Sequence, residues 1–309
     1  MIGSCIVGIA ASAAQAAGGP VPPVQDGAGV SAPDGHVSYV AVSAGERTIV
    51  ERRRPGGAVE RSRTLPGAYG VPGVAFDGSA TGISADGSTL VLAAARRVAS
   101  PTRLIVLDAR SLRPRATLVL PGYSTVDAIS PDGRWLYLIR YRSLNDPNHY
   151  EVRAYDLVRR RLLPAPIVDP REPDEKMQGF PVTRTVSADG RWAYTLYSRP
   201  DDAPFIHALD TQRRTAACID LDDVSNEAAG EARLALRGGT LRVEGAAGPL
   251  ALVDTRTFAV RPPSAALPAP RAASSGDDGG LPWTLAFVAL VPLAGLAVVA
   301  RRRRHAPSA

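Results

Sequence analysis

One short unit recurs along most of this chain and limits its possible folds more than any other feature. Ser31-Ala32-Pro33-Asp34-Gly35 leads into HVSYVAV, and Ser84-Ala85-Asp86-Gly87 into STLVLAA. Ser130-Pro131-Asp132-Gly133 leads into RWLYLIR, and Ser187-Ala188-Asp189-Gly190 into RWAYTLY. Asp-Gly marks a turn, because Gly accepts a positive φ and the short carboxylate accepts hydrogen bonds from nearby N–H groups. The residues after each turn are β-branched, aromatic and aliphatic, as a strand requires. Successive Asp-Gly pairs lie 52, 46 and 57 residues apart, and a degenerate copy follows 49 residues later at Leu236-Arg237-Gly238-Gly239-Thr240-Leu241.

Each unit continues into a second strand that ends on an acidic hairpin: LIVLDARS, VRAYDLVR, IHALDTQR and LALVDTRT. Asp108, Asp156, Asp210 and Asp254 hold equivalent places, and Glu51 takes that place in TIVERRRPGG. A carboxylate there can accept hydrogen bonds from the N–H groups of its own turn. A third strand follows, as in RATLVLPG and RLLPAPIV. Repeats of roughly 40–50 residues with about four strands each are the signature of propeller blades.

The S-x-D-G turn and the V-x-D hairpin resemble the bacterial surface repeats of the YVTN and TolB type, a WD40-like repeat class. The resemblance runs from about Ser31 to Arg261 and implies one inner strand per blade, placed before the Asp-Gly turn. The expected fold is therefore all-β, a β-propeller of about five four-stranded blades over residues 28–261. The ring is either closed or an open, dimer-completed array. Trp135 and Trp192, at matching repeat positions, are expected to pack between blades.

Alternating strand direction puts the Asp-Gly turns and Asp hairpins at one end of the blades and the longer connections at the other. Insertions in repeat proteins gather on the binding face, so the second end is the candidate site. The ligand-binding candidates there are Asp77, Tyr123, Asn145, Asp146, His149, Asp174, Glu175, Phe180, Asp201 and Asp202. Carboxylates mixed with aromatics suit a sugar, a peptide or a cation, and the same residues also suit ordinary solvated loops. No G-x-S-x-G elbow, phosphate-cradling glycine loop or metal-ligand spacing of histidines is present, so no catalytic residue, metal or cofactor is expected. Propeller lactonases and sugar dehydrogenases draw their residues from separate blades, and an enzyme of that type is the alternative reading.

The two ends of the chain address location. Leu281 to Ala300 is an uncharged apolar run of membrane-spanning length, followed by Arg301, Arg302, Arg303 and Arg304. A basic cluster stays cytoplasmic, so residues 281–300 are expected to span a membrane, with 301–309 as a cytoplasmic tail and the body outside. Leu281-Pro282-Trp283-Thr284 also resembles a sortase sorting signal, with Leu285 where that motif has Gly. Residues 1–17 resemble a signal peptide closing on Ala14-Gln15-Ala16, although no basic residue precedes the apolar stretch. Residues 262–280 are rich in Pro, Ala, Ser and Gly and read as a linker or stalk.

The formal net charge is +6, and four of the positive charges are the tail arginines, so no nucleic-acid surface is indicated. Cys218 is the single cysteine beyond the signal segment, too few for an internal disulfide. The combined reading is a single-pass, extracytoplasmic propeller that binds or scaffolds a protein, peptide or glycan. A receptor-like sensor working with a membrane partner is the second alternative.

Overall fold

A computed structural model describes residues 20–95, 101–143, 145–174 and 176–263. The signal segment 1–17, the span 281–300, the tail 301–309, nearly all of the linker and Glu175 lie outside the described residues. Among the described residues no helix is long and apolar enough to cross a membrane.

The five repeats form five four-stranded antiparallel sheets, each a simple meander. The first contains β1 (Val30–Ser31), β2 (Ser38–Ala44), β3 (Arg47–Arg53) and β4 (Val59–Pro66). The second contains β5 (Tyr69–Gly70), β6 (Thr89–Ala94), β7 (Thr102–Asp108) and β8 (Pro114–Leu120). The third contains β9 (Tyr123–Ile129), β10 (Trp135–Tyr141), β11 (Tyr150–Asp156) and β12 (Arg161–Ile167). The fourth contains β13 (Phe180–Val186), β14 (Trp192–Ser198), β15 (Phe205–Asp210) and β16 (Thr215–Asp220). The short helix α1 (Asn226–Gly230) precedes the last sheet, which contains β17 (Arg233–Arg237), β18 (Thr240–Gly245), β19 (Gly248–Asp254) and β20 (Val260–Arg261).

Burial follows strand position. The second strands of the middle blades, such as TLVLAA and WLYLIRY, are buried on both faces because a blade packs on either side. The fourth strands of the first three blades, such as PRATLVL, are mostly exposed. Apolar clusters join the first blade to the second, the second to the third, the third to the fourth and the fourth to the fifth. Among the described residues no such cluster joins the fifth blade to the first.

One hydrogen-bonded cassette builds the turn end of three blades. In the third blade Ser130 Oγ donates to Asp132 (2.5 Å), the Arg134 N–H donates to Asp132, and the Trp135 N–H donates to Ser130 Oγ. Ser84-Asp86 and Ser187-Asp189 repeat the pattern. The turn glycines have φ near +67°, and at Gly190 a Cβ would also run into Ala85 of the second blade. The hairpin aspartates accept N–H bonds from their own turns: Val158 and Arg159 at Asp156, Gln212 and Arg213 at Asp210, Arg256 and Thr257 at Asp254. The two tryptophans pack between blades, with Arg214 of the fourth blade 4.5 Å from the Trp135 ring and Phe258 of the fifth edge-on to Trp192.

The inner strand of the second blade departs from the repeat. It pairs with β6 at Tyr69–Gly70 and again at Ile83, and between them residues 71–82 leave the sheet as a hairpin bridged at Gly73 and Ala80. The tip crosses to a non-adjacent blade, where the Phe76 and Asp77 N–H groups donate to the Pro181 and Val182 carbonyls of β13. Thr183 Oγ1 donates to Asp77 Oδ2 at 2.6 Å, and Arg233 of β17 lies 3.4 Å from the same oxygen. The hairpin therefore ties together the second, fourth and fifth blades.

Candidate functional site

The strand order sends the connections β10–β11, β12–β13 and β14–β15 to the end opposite the Asp-Gly turns. Registers fix which side chains meet there. Tyr141 sits opposite Tyr150 on one side and opposite Tyr123 on the other. Their rings form a ladder that continues into the fourth blade. Tyr123 and Tyr141 are 5.6 Å apart, Tyr141 and Tyr150 5.8 Å, Tyr150 and Tyr197 5.9 Å, and Tyr197 and Phe205 5.2 Å. Tyr123 and Tyr141 are partly exposed, whereas Tyr150, Tyr197 and Phe205 are buried. Burial pushes the Tyr123 hydroxyl up to about 12 and the Tyr150 and Tyr197 hydroxyls well above their ordinary value. All three stay protonated and able to donate a hydrogen bond at neutral pH.

Several residues expected from sequence collect beside this ladder. His149 Nδ1 and Asp146 Oδ2 are 2.7 Å apart, and His149 bridges to Gln178, which fastens one connection to the next. Phe180 joins Tyr141, Pro147, Tyr150 and Tyr197 around a crevice of about 10 Å³, the size of one water. Asp202 reaches the inner end through Arg199 (3.3 Å), whose guanidinium lies 4.6 Å from the Phe205 ring. Asn145, Asp174 and Asp201 are exposed connection residues outside this group. Asp77 lies away from it, as the hairpin clasp.

Beneath the ladder lie groups that the sequence reading did not single out. Arg184 Nη1 donates to Asp127 Oδ1 at 2.6 Å, and the two side chains are 4% and 3% exposed. His207 is buried against Tyr197, its Nε2 has no hydrogen-bond partner, and burial pulls its pKa below 6.5. A repeat-register signal for the ion pair existed. Asp127 and Arg184 each stand three residues before the turn serine, on inner strands that line the axis, where Thr81 holds the same place in the second blade. Two opposite charges at one repeat position of adjacent inner strands point to a pair across the blade seam.

A sizeable cavity near these groups lies on the axis, at the Asp-Gly end. Its volume is about 380 Å³ and its walls come from the first four blades and the hairpin. Among the described residues Arg184 is the only charged one in the lining. Among the described residues no group of three or more His, Cys, Asp or Glu side chains is placed to hold a metal ion.

No family model matches the chain, and no curated protein matches it. Among solved structures it is similar to TolB from Acinetobacter baumannii, at 14% identity and a TM-score of 0.41, over 76% of this chain and 52% of that one. A functionally unknown protein from Desulfotomaculum acetoxidans DSM 771 is similar at 12% identity and a TM-score of 0.47, over 75% and 67% of the two chains. The Swd1 β-propeller domain from Myceliophteria thermophila gives 11% identity and a TM-score of 0.42, over 72% and 65%. This chain thus spans about half the length of the Acinetobacter protein. The propeller architecture rests on the five four-stranded sheets themselves.

Proposed function

We propose that this chain is an extracytoplasmic propeller, tethered by residues 281–300, that binds a peptide or glycan at the loop end of its third and fourth blades. One observation carries the reading. The aromatic ladder ends in two partly exposed rings, Tyr123 and Tyr141, flanked by the Asp146–His149 pair. Tyrosines offer flat contact area at small entropic cost, with a hydroxyl at the tip, and paired polar groups beside them supply orientation.

Binding of the full chain in lipid nanodiscs to arrays of bacterial glycans and peptides tests this. Tyr123→Ala and His149→Ala should each weaken a hit by about tenfold, as loss of an interface anchor does. Val158→Asp, at an exposed residue of the opposite end, should leave it unchanged. A hit insensitive to both loop-end changes, or lost with Val158→Asp, would sink the assignment.

A further inference from the structure

We propose that the axial cavity at the Asp-Gly end is a second binding site, for a small carboxylate with an apolar body. It is separate from the loop-end site and independent of it. The hairpin lines it through Gly78, Ala80 and Thr81, and the exposed Pro33, Val186 and Ala188 stand at its mouth. About 380 Å³ falls within the roughly 300–1,000 Å³ of small-molecule sites.

The chemistry of the walls selects the ligand. Small residues recur around it, among them Ala85, Ala128 and Ala193, and they leave room while presenting apolar surface. Against that surface stands Arg184, whose side chain is 4% exposed. A guanidinium carries five N–H donors in a rigid fork, and only Nη1 of Arg184 has a protein acceptor, Asp127. The other nitrogens are not among the buried unpaired donors, so a ligand that brings oxygens can take the place of water on them. A carboxylate fits the fork with two parallel hydrogen bonds. Asp127 holds the guanidinium in place from the other side, so little side-chain entropy remains to be lost on binding. The Asp127–Arg184 pair is neutral as a unit, and the carboxylates of Asp34 and Asp189 adjoin the mouth residues Pro33 and Ala188, so each further negative charge on a ligand is opposed there. A polyanion would not be tolerated on the same grounds.

Isothermal titration calorimetry on the full chain in lipid nanodiscs, with empty nanodiscs as the blank, provides the test. The probe is 4-phenylbutyrate, and 4-phenylbutanol keeps the same body without the carboxylate. Saturable one-to-one binding of the acid is expected, with the alcohol weaker by about tenfold. Arg184→Lys keeps the charge opposite Asp127 but loses the fork, and should weaken the acid by about tenfold while leaving the alcohol unchanged. Val186→Trp, at an exposed residue of the mouth, should weaken acid and alcohol alike. No saturable binding of the acid, equal affinity for acid and alcohol, or a Val186→Trp protein that binds like the parent would each overturn the proposal. Those readings stand even if Arg184→Lys fails to fold.

Discussion

The two ends of this molecule are built on different principles. At the turn end the same hydrogen bonds recur from blade to blade: serine to aspartate, aspartate to N–H, hairpin aspartate to its own turn. At the loop end one contact repeats, the Thr48 and Thr102 hydroxyls that each donate to a connection carbonyl (Gly67, Gly122) and accept the next strand's N–H (Tyr69, Ser124), and other contacts are singular. The Tyr123–Phe205 ladder, the Asp146–His149 pair and the Arg199 cluster each occur once. Repetition therefore marks what several blades share in folding, and singular contacts mark what one blade does for itself. The axial cavity complicates this division, because space for a ligand opens at the regular end, where glycines and alanines keep the blades' inner edges thin.

The widest separation between the ends should appear in stability. Asp210 has a side chain 1% exposed and accepts two turn N–H groups and the Arg191 guanidinium. Asp210→Ala strands those donors and should cost about 3 kcal/mol in urea denaturation. Asp146→Ala, in a pair about half exposed, should change stability by less than about 0.5 kcal/mol. Equal effects would break the comparison.

A smaller difference should separate two glycines of the same turn type. Gly35 (φ +68°) has open space around it, whereas Gly190 (φ +69°) faces Ala85 across a blade boundary. Gly35→Ala should cost about 1–2 kcal/mol for the left-handed backbone alone. Gly190→Ala should cost about 1–2 kcal/mol more for the overlap. Similar values for both would mean that the blades can part there without penalty.

The pH dependence is expected to be the mildest discriminator, and the two ends should respond in different windows. His207 is held neutral by burial, so the unfolded chain takes up a proton that the folded chain refuses as pH falls below 6.5. Stability should decline on that descent, and His207→Asn should flatten it. At the turn end, hydrogen bonds from the Ser111 N–H and hydroxyl, with help from Arg115, hold the Asp108 carboxylate down from 3.8 to about 2. Its stabilisation is complete above the ordinary value and is lost as pH falls from about 4 toward about 2. Asp108→Asn should flatten only that lower limb, as read by the midpoint of thermal unfolding across pH.

Legibility in the sequence followed how local each cause was. The Asp-Gly turns, the hairpin aspartates and the strands between them were readable because every partner lies within a few residues. The grouping of His149 with Asp146 is an i,i+3 contact and was equally open to reading. The Phe180 position was expected on the loop face but not its seat against Tyr141 and Tyr197, which depends on strand register. The segment PGVAFDGS read as an ordinary connection, and Asp77 as a loop-face candidate. Its partner Thr183 lies 106 residues away, beyond any pattern in the local sequence. Arg184 and Asp127 were recoverable only by aligning the repeats and asking which positions break sign.

The hairpin at residues 71–82 has a consequence for how the molecule comes apart. Stacked repeats touch only their neighbours, so they ordinarily unfold piecemeal from an end, as links leave a chain. A chord from the second blade to the fourth and fifth removes that freedom. The fourth blade cannot leave the second without breaking the Phe76 and Asp77 N–H bonds, nor the fifth without breaking Arg233–Asp77, so these three blades should unfold together. The same chord must be closed over about a hundred residues during folding, which slows the search for the native state. Cooperativity and slow folding would then share one origin, a dozen residues that leave their own sheet.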